Sequence, residues 1–459
     1  IAAGLVNQLG ASPVVAYALV KPFGILALFA GAAAIVHRHL SRRDDRRAAL
    51  VLGLFYCAPA SAIAGWTLAP AAQAKFQLDF AGGELWNGAY LWGYSYTAIA
   101  VGLVPLGLIA WERSRLGGNA RMASAAAACA LLSSWFQPWQ GATLAGVIVA
   151  AELIRFRAEG RQVKRVIAGV GPMLVASALP LVYYFVLSKT DPAWELAGVA
   201  NSLPRWPLWV LVAAMLPLAL PAAFTYGKGR WSTPGSVALR LWPLAALGVY
   251  FAPLGTFPFH AIQGMQISLS VLAFVAIRER LGDRPLPGVA TVLVLVVLIV
   301  PGTVYRVAQM RDAVNAGLQP FFLNDEEHAA LKFLDSSKQP GGVVTQNYMG
   351  SVIPAWTGRQ TWLGAGSWSP DFEPRRQLLE ALFAGRLGTE GARKLLVRPG
   401  AGYVLEDCRA EPAFFEQVEP FTKVVLRRGC VTVLRIDGAH PLGPPQPPLP
   451  PIPPAPTAR

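Results

Sequence analysis

Two carboxylates five residues apart, Asp79 and Glu84, stand among the aromatic and apolar residues Phe76, Phe80, Leu85 and Trp86. Carboxylate oxygens at this spacing suit a divalent cation such as Mg or Mn, or a general base that takes a proton from an acceptor hydroxyl. A solvated loop fringed by interfacial aromatics is the competing reading. A second polar group, Gln137, Trp139 and Gln140, brackets Pro138. Amides and an indole there suit sugar hydroxyls and ring faces, and an interfacial helix hairpin accounts for them equally well. His260 and Gln263 follow Phe257-Pro258-Phe259; the imidazole is a phosphate contact or a backbone partner.

Two isolated cations complete the set. Lys21 lies about seven residues, ~10 Å of helix, inside the first apolar stretch. It is either a charge partner for a lipid phosphate or a side chain that snorkels to the interface. Arg205 follows Asp191 and Glu195, and its planar fork matches phosphate geometry. The sequence contains no P-loop, G-x-S-x-G or H-E-x-x-H motif, so the familiar soluble routes to phosphate, acyl and zinc chemistry are not signalled.

The elements that must position these residues follow from composition. Of 459 residues, 54% are hydrophobic and 14% charged, and mean hydropathy is +0.41. Ordinary globular domains carry roughly 25% charge, and a chain with so little could not cover a soluble surface. The chain reads as an integral membrane protein. A span needs roughly 20 apolar residues, and such stretches cover about 14–36, 49–71, 90–111, 166–187, 206–226, 235–257, 262–277 and 286–305. The stretch 122–155 is interrupted at 136–140, where Pro138 would break a continuous helix, and reads as two short helices. Ten spans are expected.

The formal net charge of +14 raises a nucleic-acid partner, but its placement argues against one. Alternate loops, 38–47, 113–121, 155–165, 228–230 and 278–284, hold eighteen Lys and Arg, and the opposite loops hold three: Lys75, Lys189 and Arg205. Basic loops stay cytoplasmic, which puts residues 1–13 and everything after about 306 outside. From Arg306 onward 17 basic and 15 acidic residues balance, as on a water-exposed surface. Asn324 through Glu327 caps an amphipathic helix, further helices are expected over 375–384 and 389–396, and β-prone runs fall at 342–345, 361–363, 403–406, 423–426 and 430–436.

The expected fold class is therefore a membrane all-α helical bundle over 1–305 with an extracytoplasmic α/β domain over 306–440. Residues 441–459 form a Pro-rich tail, polyproline II or disordered. Cys57 and Cys129 fall in apolar stretches. Cys408 and Cys430 fall in the external domain, next to neighbouring β-runs, and are expected to form a disulfide.

Many helices, a polar cavity at the outer face, a broken helix pair at 135–140 and an external α/β domain resemble the GT-C fold of polyprenyl-phosphate-dependent glycosyltransferases. The segment 350–359 (GSVIPAWTGR), with Gly364 and 367–371 (SWSPD), is similar to external segments of bacterial multispanning proteins of this type. The resemblance implies a bacterial cytoplasmic-membrane enzyme of inverting mechanism, which moves a sugar from a polyprenyl-phosphate carrier to a glycan, lipid or protein acceptor. In that scheme Lys21, Arg205 and His260 face phosphate, Asp79 or Glu84 serves metal or acceptor, and Gln137, Trp139, Gln140 and Gln263 line the sugar site. Such enzymes carry a key Asp in their first outer loop, whereas residues 1–12 contain no Asp or Glu. With Ile1 in place of Met, this predicts that an N-terminal span and the Asp precede residue 1. A transporter would use the same cavity but should show inverted repeats and paired intramembrane charges, and neither is evident. A scaffold would not depend on the outer-loop carboxylates.

Overall fold

The computed structural model describes residues 8–10, 13–67, 72–159, 163–200, 205–227, 231–252, 257–315, 323–366, 369–397, 400–407 and 411–437. The Pro-rich tail lies outside them. The chain forms two compact units, one of residues 1–190 and 203–307, the other of 191–202 and 308–459. The short 191–202 segment thus groups with the C-terminal part, a departure from the single boundary expected near 306.

The first unit is helical. Its helices are α1 (Pro13–His39), α2 (Arg43–Phe55), α3 (Pro59–Thr67), α4 (Ala72–Glu84), α5 (Asn87–Gly93), α6 (Ser95–Gly117), α7 (Ala120–Phe136), α8 (Pro138–Glu159) and α9 (Val163–Thr190). After α10 (Pro192–Ala200), which groups with the other unit, come α11 (Leu208–Ala223), α12 (Pro234–Phe251), α13 (Met265–Leu281) and α14 (Gly288–Asn315). Among the described residues, six helices are long and apolar enough to cross a membrane, and α2 with α3, bent by 45° at Tyr56–Ala58, make a seventh if counted as one span. By length and composition the described helices thus account for six or seven of the ten spans expected. Pro59 can begin a helix but not continue one, which breaks the 49–71 stretch. Likewise α7 ends at Phe136 and α8 begins at Pro138, the expected break, but α7 has only 17 residues.

Small residues bring the helices close. A Cβ on Gly31 of α1 would lie 2.2 Å from the carbonyl oxygen of Gly102 on α6, so this crossing requires glycine on both sides. The helix ends beside the basic loops are tied by arginines to buried carboxylates. Arg38 grips Glu112 through two bonds of 2.7 Å, Arg115 reaches Glu152 at 2.7 Å, and Arg278 donates to both oxygens of Asp45 at 2.8 and 2.5 Å. All three carboxylates are buried. The basic residues counted for orientation therefore also lock helices together, and paired charges that the sequence did not reveal do exist, at helix ends.

The second unit contains α15 (Asp325–Ser336), short helices α16 (Asn347–Gly350) and α17 (Val352–Thr357), then α18 (Phe372–Phe383), α19 (Gly388–Val397) and α20 (Pro412–Val418). Its sheet combines β1 (Gly342–Thr345), β2 (Ala401–Asp407), β3 (Thr422–Arg428) and β4 (Val431–Ile436) in the order β1-β2-β4-β3, with β1 and β2 parallel and the other pairs antiparallel. The expected capping box is present, Asn324 and Glu327 each accepting the other's backbone amide. The 361–363 run contributes only a single bridge, Thr361 to Val343. Apolar clusters cover both faces of the sheet, one under α18 to α20 and one under α15. Cys430 is disulfide-bonded and Cys57 and Cys129 are free thiols; Cys408 lies outside the described residues.

Candidate active-site cavity

Residues 72–84 form helix α4 rather than a loop. Ala72, Gln73, Ala74, Lys75, Gln77 and Leu78 are all good helix formers, and Gly82 and Gly83 close the helix beside Ser61 of α3, where a Cβ on Gly82 would lie 2.9 Å from the serine Oγ. On a helix, five residues separate two side chains by about 140°, so Asp79 and Glu84 face different neighbours.

Asp79 faces Arg306 of α14. The guanidinium Nη1 lies 2.8 Å from Asp79 Oδ1, and Nη2 donates to the backbone carbonyl of the same residue. Glu84 ends the helix and accepts a 2.5 Å bond from Gln263 Nε2. Tyr90 of α5 donates its hydroxyl to the Glu84 carbonyl. Gln263 lies at the end of a 3₁₀ turn, Pro258–Ala261, that leads into α13. It is 2% exposed, and its Oε1 accepts no hydrogen bond from the described residues.

These groups surround one cavity of about 230 Å³. Asp79, Glu84, Gln263 and Arg306 supply its polar wall, and Tyr90 and Tyr94 border it. Phe76 and Phe80 form the apolar side. Phe80 sits within an aromatic cluster, its ring centroid 4.8 Å from Trp206, 5.2 Å from Phe259 and 5.9 Å from Phe257. Burial pushes the Glu84 carboxyl up to about 7, against the opposing pull of the Gln263 hydrogen bond and the Arg306 charge. Desolvation disfavours the charged carboxylate, and a carboxyl poised near neutrality is suited to proton transfer.

Asp79, Glu84 and Gln263 are thus brought together, and the other expected residues are placed elsewhere. Gln140 donates to the carbonyls of His260 (2.6 Å) and Gln263 (3.0 Å), so its amide anchors the 3₁₀ turn instead of lining the cavity. Gln137 donates to Thr97 Oγ1 at 3.3 Å, and Trp139 is half-buried against the helical core. The amides at the break thus tie the helix pair to Thr97 of α6 and to the segment 260–263. Arg205 donates to the carbonyls of Tyr250 (2.9 Å) and Ala252, capping the C-terminal end of α12, where carbonyls lack helical partners. His260 packs its ring 4.6 Å from Phe257 and 6.5 Å from Tyr94, behind the cavity wall. Lys21 stands 5.8 Å from the Tyr17 ring, one turn away on α1.

Arg306, Tyr90 and Tyr94 were not singled out by sequence. Arg306 had a signal: an arginine closing the last apolar stretch, on the side where Asp79 was expected. Among the described residues, no three His, Cys, Asp or Glu are grouped to hold a metal ion. Asp79 is engaged by a guanidinium and Glu84 by an amide donor, so these two do not form a ready cation site.

No family model matches the chain, and no curated protein matches it. In structure it is similar to the archaeal oligosaccharyltransferase AglB from Archaeoglobus fulgidus, solved in complex with an inhibitory peptide and a dolichol-phosphate: 12% identity, TM-score 0.48, covering 88% of this chain and 60% of that one. Two further structures of the Archaeoglobus fulgidus enzyme are similar. The one with Zn and sulfate is 13% identical with TM-score 0.48, covering 88% and 58%. The one tethered to an acceptor peptide is 12% identical with TM-score 0.48, covering 89% and 61%. The chain spans about three fifths of the length of these proteins.

Proposed function

We propose that this protein is a membrane glycosyltransferase that moves a sugar from a polyprenyl-phosphate carrier to an acceptor, on the side of the membrane opposite the basic loops. The observation that carries this reading is a carboxyl held near neutrality, Glu84, in the same cavity as a cation, Arg306. The reaction needs both. As the acceptor oxygen attacks the sugar, its proton passes to Glu84, the bond from the anomeric carbon to the carrier phosphate breaks, and the departing phosphate gains negative charge, which Arg306 offsets. A single displacement with one base inverts the sugar. Gln263 orients the Glu84 carboxylate and leaves Oε1 for a sugar hydroxyl, while Phe76 and Phe80 offer apolar surface to the first isoprene units. Asp79 holds Arg306 in place.

The test uses the full-length protein in detergent with polyprenyl phosphate as the probe and uncharged polyprenol as the control. Polyprenyl phosphate should raise the melting temperature through binding to the folded state, and polyprenol should not. Arg306→Lys, which keeps the charge but loses the two-point grip, should weaken the phosphate effect. Equal stabilisation by both probes would remove the phosphate reading.

A further inference from the structure

A second cavity, of about 420 Å³, lies at the helix ends that flank the basic loops 38–47 and 113–121. It is formed by the last turn of α1, the C-terminal half of α6 and the first turn of α7. Its walls combine apolar surface from Leu106, Ile109 and Met122 with the basic side chains of His37, Arg38 and Arg113.

The basic side chains in and beside the cavity differ. Arg38 is neutralised by its two bonds to Glu112, and the same carboxylate accepts the Gly235 amide at 3.1 Å. Arg115 is spent on Glu152. Arg113 and His37 are exposed, and among the described residues neither has a carboxylate partner. The cavity therefore carries uncompensated positive charge at its rim and an apolar interior, with a volume in the usual range of ligand sites. The helices that bound it present Phe23, Leu26 and Phe29 of α1 and Leu131 and Leu132 of α7 outward, each well exposed, as surface that faces lipid.

We infer that this cavity binds an anionic phospholipid, with the headgroup phosphate against Arg113 and His37 and an acyl segment against Leu106, Ile109 and Met122. A guanidinium offers phosphate a two-point contact, and basic residues at a membrane surface attract anionic lipid. A soluble anion would use the rim but gain nothing from the apolar walls. No residue lines both this cavity and the Glu84 cavity, and the inference does not depend on the proposed reaction.

The full-length protein is reconstituted in vesicles of phosphatidylcholine with a minor fraction of phosphatidylglycerol, extracted, and weighed by native mass spectrometry. Phosphatidylglycerol should be retained in preference to phosphatidylcholine. The preference should fall about tenfold in the double variant His37→Gln/Arg113→Gln and recover in part with Arg113→Lys. Met122→Trp, which fills the cavity while keeping every basic side chain, should reduce it as well. A preference unchanged in the double variant, or inorganic phosphate displacing the lipid as effectively as a soluble short-chain phosphatidylglycerol, would overturn the inference.

Discussion

Arg306 holds Asp79 at both ends: Nη1 lies 2.8 Å from the side-chain Oδ1, and Nη2 donates to the backbone carbonyl of the same residue. One guanidinium from α14 thereby fixes the position of α4 and with it the height of Glu84. Removing one member of a largely buried pair strands the other and costs 3–5 kcal/mol in fully buried cases. The Arg306 and Asp79 side chains retain 13% and 24% exposure, so about 2 kcal/mol is expected for Asp79→Asn. Arg306→Gln should cost at least as much, and the double variant less than the sum of the two. Thermal or denaturant unfolding of the four proteins measures the coupling. Additive losses would mean that the pair contributes nothing beyond its parts.

The Glu84 carboxyl also leaves a mark on stability. The folded protein keeps this proton up to about pH 7, whereas an ordinary glutamate releases it near 4.5. A raised carboxyl pKa means that the folded state binds more protons across this window, so stability should fall as pH rises from about 4.5 to 7. Glu84→Gln removes the titration. Its melting temperature should decline less than that of the wild type over the same range; parallel curves would place the proton elsewhere.

The strands β2 and β4 pair antiparallel with Asp407 opposite Val431. Cys430 immediately precedes β4, and with Cys57 and Cys129 free thiols, Cys408 is the remaining cysteine of the four. We expect Cys430, which is disulfide-bonded, to pair with Cys408. Non-reducing peptide mapping of the purified protein should recover one peptide joining the two, and Cys408→Ser should free the Cys430 thiol. A closed loop of this size contributes about 3 kcal/mol, so the variant should also melt earlier.

Orientation rests on the basic loops and is tested by labelling. Cysteines introduced at Arg43, beside a basic loop, and at Glu390, exposed on α19, should differ in intact cells: an impermeant maleimide should reach position 390 and not 43. Labelling at 43 alone would invert the topology.

How far the sequence reached depended on the range of the interactions involved. The strand runs at 342–345 and 403–406, the Asn324–Glu327 capping box and the break at Pro138 are set by neighbours a few residues apart, and each is found where local pattern placed it. What was missed is long-range. The partner of Asp79 is 227 residues away, the partner of Glu84 is 179 away, and Arg205 proved to cap a helix 45 residues downstream. Nothing in local periodicity distinguishes an arginine that will meet a phosphate from one that will meet a carbonyl. The pairing of basic loops with the buried Asp45, Glu112 and Glu152 was hidden for the same reason, since loop charge alone records orientation and not contact. Residues 72–84 read as a loop because their aromatics and carboxylates masked a run of good helix formers.

If Glu84 takes the acceptor proton, the rate of sugar transfer must follow the Glu84 titration. The full-length protein in vesicles is supplied with polyprenyl-phosphate hexoses labelled in the sugar, and transfer to acceptor is followed from pH 5 to 9 in the wild type, Glu84→Asp and Glu84→Gln. A base must be deprotonated to act, so the wild-type rate should rise with pH through about 7 and level off above it. Glu84→Gln should lose about 10²- to 10⁴-fold and the inflection with it, while Glu84→Asp should retain a weakened rate and a displaced inflection. Transfer by Glu84→Gln at the wild-type rate, with the same inflection near pH 7, would mean that Glu84 is not the base.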